Sequence, residues 1–129
     1  MPGDRIELKT PTGRAWEPLI RMVLCGIADR LDLGFDELDD LQLAVERLLA
    51  EGDPEDPVTL SFELHGGGVR ARVGPLRDSA LAAALQGPPP GPGELTLPRI
   101  LETVVDSFGV EDATDGRLVV RLEKAVRGA

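Results

Sequence analysis

The chain has 129 residues, 42% hydrophobic and 29% charged, a balance that suits one folded domain over residues 1–129 with one core. A formal net charge of −9 excludes the basic surface that nucleic-acid binding needs, and a basic protein patch is the easier partner to accept. The single Cys25 excludes an internal disulfide framework, and no apolar run approaches the roughly 20 residues that span a bilayer, so a cytoplasmic protein is expected.

Arg5–Lys9, RIELK, alternates apolar and polar residues and predicts a first strand. Thr10-Pro11-Thr12-Gly13 breaks it, with Thr12 as a candidate cap for the helix that follows. In that helix Trp16, Leu19, Ile20, Val23, Leu24, Ile27 and Leu31 recur at three- and four-residue steps as one apolar stripe. Gly34 is the expected left-handed stop. Asp36 is the expected N-cap of a second helix, whose acidic first turns suit the positive dipole end. Leu38, Leu41, Val45, Leu48 and Leu49 give it a buried stripe that ends near Gly52.

Val58–Leu64 alternates at period two, His65-Gly66-Gly67-Gly68 turns, and Val69–Val73 returns, the clearest hairpin in the chain. Ser79–Leu85 is a short apolar segment, and Gln86–Gly93, QGPPPGPG, reads as an extended loop. Leu97–Phe108 predicts a third helix with Pro98 in its first turn. Gly109–Glu111 begins a strand, Asp115-Gly116 turns, and Leu118, Val120 and Leu122 alternate in a final strand. The order β-α-α-β-β-α-β-β predicts a two-layer α/β sandwich: a mixed, mostly antiparallel sheet with helices on one face.

From Ala28 to Gly52 the chain reads ADRLDLGFDELDDLQLAVERLLAEG. It resembles the anti-sigma factor / serine kinase branch of the GHKL (Bergerat-fold) ATPases, in which a helix ending A-x-x-L-D is followed by D-E-L-x-x-x-x-x-A-V-x-E-x-x-x-N. The element order is the one that family has. In the resemblance the Glu serves as base and the Asn holds magnesium; here those positions are Arg47 and Glu51. Arginine keeps its proton at neutral pH, and a carboxylate adds negative charge facing the phosphates. The adenine-binding D-x-G-x-G falls on Gly74, Leu76 and Asp78, and the phosphate-cradling Gly-x-Gly falls on Leu95-Thr96-Leu97. Four motifs fail together, so neither ATP nor magnesium is expected as a cofactor.

By the same resemblance Arg21 falls on a first-helix arginine that contacts both a sigma factor and its antagonist; read alone, it is a solvated helix arginine. Trp16 reads as core or, if exposed, as an interface anchor, with Glu17 beside it. The resemblance implies a regulatory module that binds a sigma factor or a STAS-type antagonist, without kinase activity, as a homodimer. The alternatives are a divergent ATP-dependent serine kinase using Glu46 or Glu51, and a pseudo-enzyme holding another ligand in a pocket made apolar by Leu76, Leu95 and Leu97. His65, alone among turn glycines, assembles no metal site, and Cys25 reads as a small core residue.

Overall fold

A computed structural model describes residues 4–53, 55–77, 96–114 and 117–126. Strand β1 (Asp4–Thr10) leads through a 3-10 turn (Arg14–Trp16) into α1 (Glu17–Leu31) and α2 (Phe35–Leu49). The hairpin β2 (Val58–His65) and β3 (Gly68–Arg77) follows, then α3 (Leu97–Val104), β4 (Ser107–Thr114) and β5 (Arg117–Ala125). The strands form one five-stranded sheet ordered β1-β2-β3-β5-β4. Every pairing among the described residues is antiparallel, which narrows the mixed sheet expected from sequence. The predicted element order and the two-layer α/β sandwich both stand.

Period-two alternation divides the sheet into two faces. Leu60, Phe62, Leu64, Val69, Ala71, Val73, Val120 and Leu122 point inward and meet Ile20, Leu24, Ile27, Leu41, Ala44, Val45 and Leu48 of the helices in one aliphatic core. Lys124 is the exception on the inner face of β5. Its side chain is buried, and its Nζ donates to the Val104 carbonyl (2.8 Å) and to Asp40 (3.2 Å), tying α2 and the end of α3 to the sheet. At the hairpin turn only glycine fits position 68: φ is +152°, and a Cβ would lie 2.2 Å from the Lys124 carbonyl oxygen.

Several local expectations are corrected. Thr12 caps no helix; its hydroxyl donates to the Asp53 carbonyl at 3.1 Å and pins the β1–α1 connection to the one after α2. The left-handed stop after α1 is Asp32 (φ 57°, ψ 38°), where Leu33 N–H reaches the Ala28 carbonyl and Asp32 N–H the Asp29 carbonyl. This is a Schellman ending, with Asp in the place usually held by Gly. Gly34 is extended and is the N-cap of α2, which leaves Asp36 inside the first turn. Helix α3 stops at Val104 rather than Phe108. Val105 is already extended, and Asp106 N–H joins the Glu123 carbonyl, so strand pairing takes over from helical bonds. The N-cap of α3 is Thr96, whose hydroxyl accepts from Arg99 N–H. Ser79–Leu85, Gln86–Gly93 and the Asp115-Gly116 turn lie outside the described residues.

Candidate functional site

The positions matched to an ATP site do not assemble one among the described residues. Arg47 and Glu51 are exposed at the C-terminal end of α2, and Arg47 has no ion-pair partner among the described residues. Neighbouring Glu46 faces α1 instead, its Oε1 accepting from Arg21 Nε at 2.8 Å. Gly74 is buried in β3 opposite Thr59, and a Cβ there would press on the Leu118 carbonyl and Val119 at 2.9 Å. That glycine serves strand packing, and its amide stands in a sheet rather than in a loop around a base. Leu76 is fully buried, with its Cδ2 only 3.5 Å from where a Gly52 Cβ would stand, so it fills the space below the end of α2. Leu97 is half-buried against the core in the first turn of α3. Asp78 and Leu95 lie outside the described residues. A shallow apolar groove of about 180 Å³ between α2 and α3 is lined by Leu43, Arg99, Ile100, Thr103 and Val104, and neither Leu76 nor Leu97 lines it.

The outward side of α1 is different. Met22 is 71% exposed, Trp16 43% and Leu19 39%, and Cys25, read from sequence as a core residue, is exposed as well. At about 100° per residue, Leu19, Met22 and Gly26 fall on one strip pointing away from the core. The apolar stripe expected from sequence was therefore too wide. Ile20, Leu24, Ile27 and Ala28 are buried and Val23 and Leu31 pack half-buried against the core, while Trp16 and Leu19 remain exposed. Arg21 and Glu17 sit one turn apart on the flank of α1 that faces α2, whereas Trp16 is about 140° around the helix axis from Arg21. The three proposed contact residues therefore frame the exposed strip from two sides and do not touch one another as a cluster.

Arg21 is a half-exposed guanidinium in an ion pair with half-buried Glu46. The hydrogen bond to Glu46, then its charge, raises the Arg21 pKa above its ordinary value. An ion pair this accessible contributes little to stability and exchanges readily for another carboxylate. Sequence reasoning found Arg21 through its motif spacing but missed Leu19 and Met22. The available signal was phase: Met22 falls about 200° from Leu24 on a helical wheel and so does not share its face.

The other face of the sheet is a lattice of charges. Arg72 lies between Glu63 and Glu111, Arg70 between Glu63 and Glu123, Arg121 pairs with Glu123 at 3.1 Å, and Arg5 with Glu7 at 2.7 Å. The bond from Arg72 holds the Glu63 carboxyl below its usual range, and Glu111, with Glu63, raises Arg72. No group of three or more His, Cys, Asp or Glu among the described residues is placed to hold a metal ion. No helix among them is long and apolar enough to cross a membrane.

No family model matches the chain, and no curated protein matches it. A solved structure does: that of the RsbU and RsbW domains of Rv1364c from Mycobacterium tuberculosis, with a TM-score of 0.67 at 16% identity. The match covers 98% of this chain and 34% of that one. At that identity the likeness speaks for the fold alone, a two-layer α/β sandwich.

Proposed function

We propose that this chain is an anti-sigma-factor-like regulatory domain that acts by protein–protein contact through α1, without phosphorylating its partner. The observation that carries the reading is the exposed apolar strip of Leu19 and Met22 beside Arg21. An apolar patch with an exchangeable arginine at its edge is the composition of a protein-contact surface. The fold shared with an RsbW-domain structure supports the class of partner, a sigma factor or a STAS-type antagonist. The acidic net charge of −9 suits a basic patch on that partner and speeds encounter more than it sets affinity. The filled space at Leu76 and the engagement of Glu46 with Arg21 both favour binding over ATP chemistry.

The test uses sigma factors and STAS proteins of the native host as purified ligands. Binding is expected for the wild type and weaker by about tenfold or more for Met22→Glu and for Arg21→Glu, with unchanged circular dichroism. Wild-type binding to neither class, or full binding by both variants, sinks the proposal. Calorimetry with Mg-ATP is expected to show no heat at millimolar nucleotide; a saturable signal would restore the kinase reading.

A further inference from the structure

We propose that the open face of the sheet carries a site for a small organic acid, with its phosphate or carboxylate group held between Lys9 of β1 and Arg117 of β5. A cavity of about 230 Å³ lies at one end of that face, lined by Lys9, Thr59, Pro75 and Arg117 and, from the α2–β2 connection, by Asp53 and Asp56. The local irregularity of β3 shapes it. The β3–β5 register shifts between Val73 and Leu76, next to Pro75 in the cavity wall.

The cations around this cavity differ from those on the rest of the face. Arg5, Arg70, Arg72 and Arg121 each have a carboxylate partner on the sheet. Lys9 and Arg117 have none among the described residues, although the chain carries 23 acidic residues against 14 basic ones. Asp53 lines the same cavity, yet one of its oxygens accepts from Glu55 N–H at 2.9 Å and neither pairs with a cation. Asp53 and Asp56 match the two cations in formal charge, but neither Lys9 nor Arg117 is ion-paired among the described residues, so the donors of both stay open to an acid group. The guanidinium offers a planar fork of donors, the ammonium a point charge, and the Thr59 hydroxyl a further donor. The remaining Asp53 oxygen favours a ligand that has a hydroxyl beside its acid group. The cavity lies on the opposite layer from α1, so this site stands or falls separately from the partner surface.

Isotope-labelled protein is titrated by NMR with inorganic phosphate, succinate and malate, at ionic strength held constant with chloride. Saturable shifts are expected at the amides of Lys9, Thr59, Gly74 and Arg117. Phosphate against succinate tells which acid group is preferred, and malate is expected to bind more tightly than succinate through Asp53. The Lys9→Gln/Arg117→Gln double variant is expected to bind about tenfold or more weakly, whereas Arg14→Gln, at another cation without a partner, binds as wild type. Both sites are exposed, so folding is not at stake, and the wild-type shift map is an independent reading. Shifts that stay linear in all three acids, shifts spread equally over Arg14 and Arg47, or a double variant that binds as wild type would each overturn the site.

Discussion

Helices α1 and α2 are both 15 residues long and lie in the same layer, yet they use their apolar residues differently. Helix α2 buries Leu41, Ala44, Val45, Leu48 and Leu49, while Asp36, Asp39 and Arg47 on its other side are exposed. Helix α1 buries only Ile20, Leu24, Ile27 and Ala28, and leaves Leu19, Met22 and Cys25 in solvent. Helix α2 is not fully covered either: Phe35, its first residue, is 86% exposed, and Leu43, toward α3, 42%. On α1 the exposed apolar residues Leu19 and Met22 share one strip along the body of the helix, apolar surface beyond what the core takes up. The difference teaches that the apolar surface a helix leaves uncovered depends on its phase against the sheet as well as on how many apolar residues it carries.

Substitution of equivalent apolar residues on the two helices is the sharpest way to break this contrast. Leu48→Ala opens a cavity in a fully buried site and is expected to cost about 2–5 kcal/mol in urea unfolding. Met22→Ala is expected to change stability by less than about 0.5 kcal/mol while weakening partner binding. Equal stability losses would mean that α1 is as fully packed as α2.

Two glycines extend the contrast to the backbone, with opposite signs. Gly74→Ala forces a Cβ to 2.9 Å from the Leu118 carbonyl oxygen and is expected to destabilise by about 1–3 kcal/mol. Gly26→Ala meets nothing within 4 Å on the exposed side of α1 and is expected to stabilise by roughly 1 kcal/mol. Thermal melts of the two variants that shift in the same direction would contradict the placement of Gly26 on an open face.

The smallest effect belongs to the charged face of the sheet. Because Arg72 holds the folded-state pKa of Glu63 down, this carboxylate contributes stability that is present above its unfolded pKa, near 4.5, and is lost as pH falls through the lower folded value. Glu63→Gln is expected to lower stability slightly at pH 7, to approach wild type in acid, and so to flatten the acid side of the stability profile. An acid limb identical to wild type would show that the Arg72 bond does not form in solution.

Much of this was legible in the sequence. Period-two runs located β2, β3 and β5, and the Ala28-x-x-Leu31-Asp32 segment marked a real helix end. The structure gives that segment a physical meaning: Asp32 adopts the left-handed conformation that closes α1. What failed was phase and boundary. Asp32 takes the left-handed stop expected of Gly34, and Gly34 the N-cap expected of Asp36, because either residue type can end a helix and only the backbone bonds decide between them. Helix α3 was read too long because Val105 and Phe108 are apolar and suit a strand as well as a helix. The α1 stripe was read too wide because apolarity does not say how much surface the facing sheet can cover.

The sequence by itself determined the order of elements and the aliphatic core, because these depend on local pattern and on residue type. Only the tertiary structure decided that Glu46 belongs to Arg21, that Leu19 and Met22 stay outside, and that Lys9 and Arg117 face one cavity. Those facts depend on which side chains long-range packing brings together or leaves uncovered, and residues 108 positions apart in the chain have no local pattern that links them.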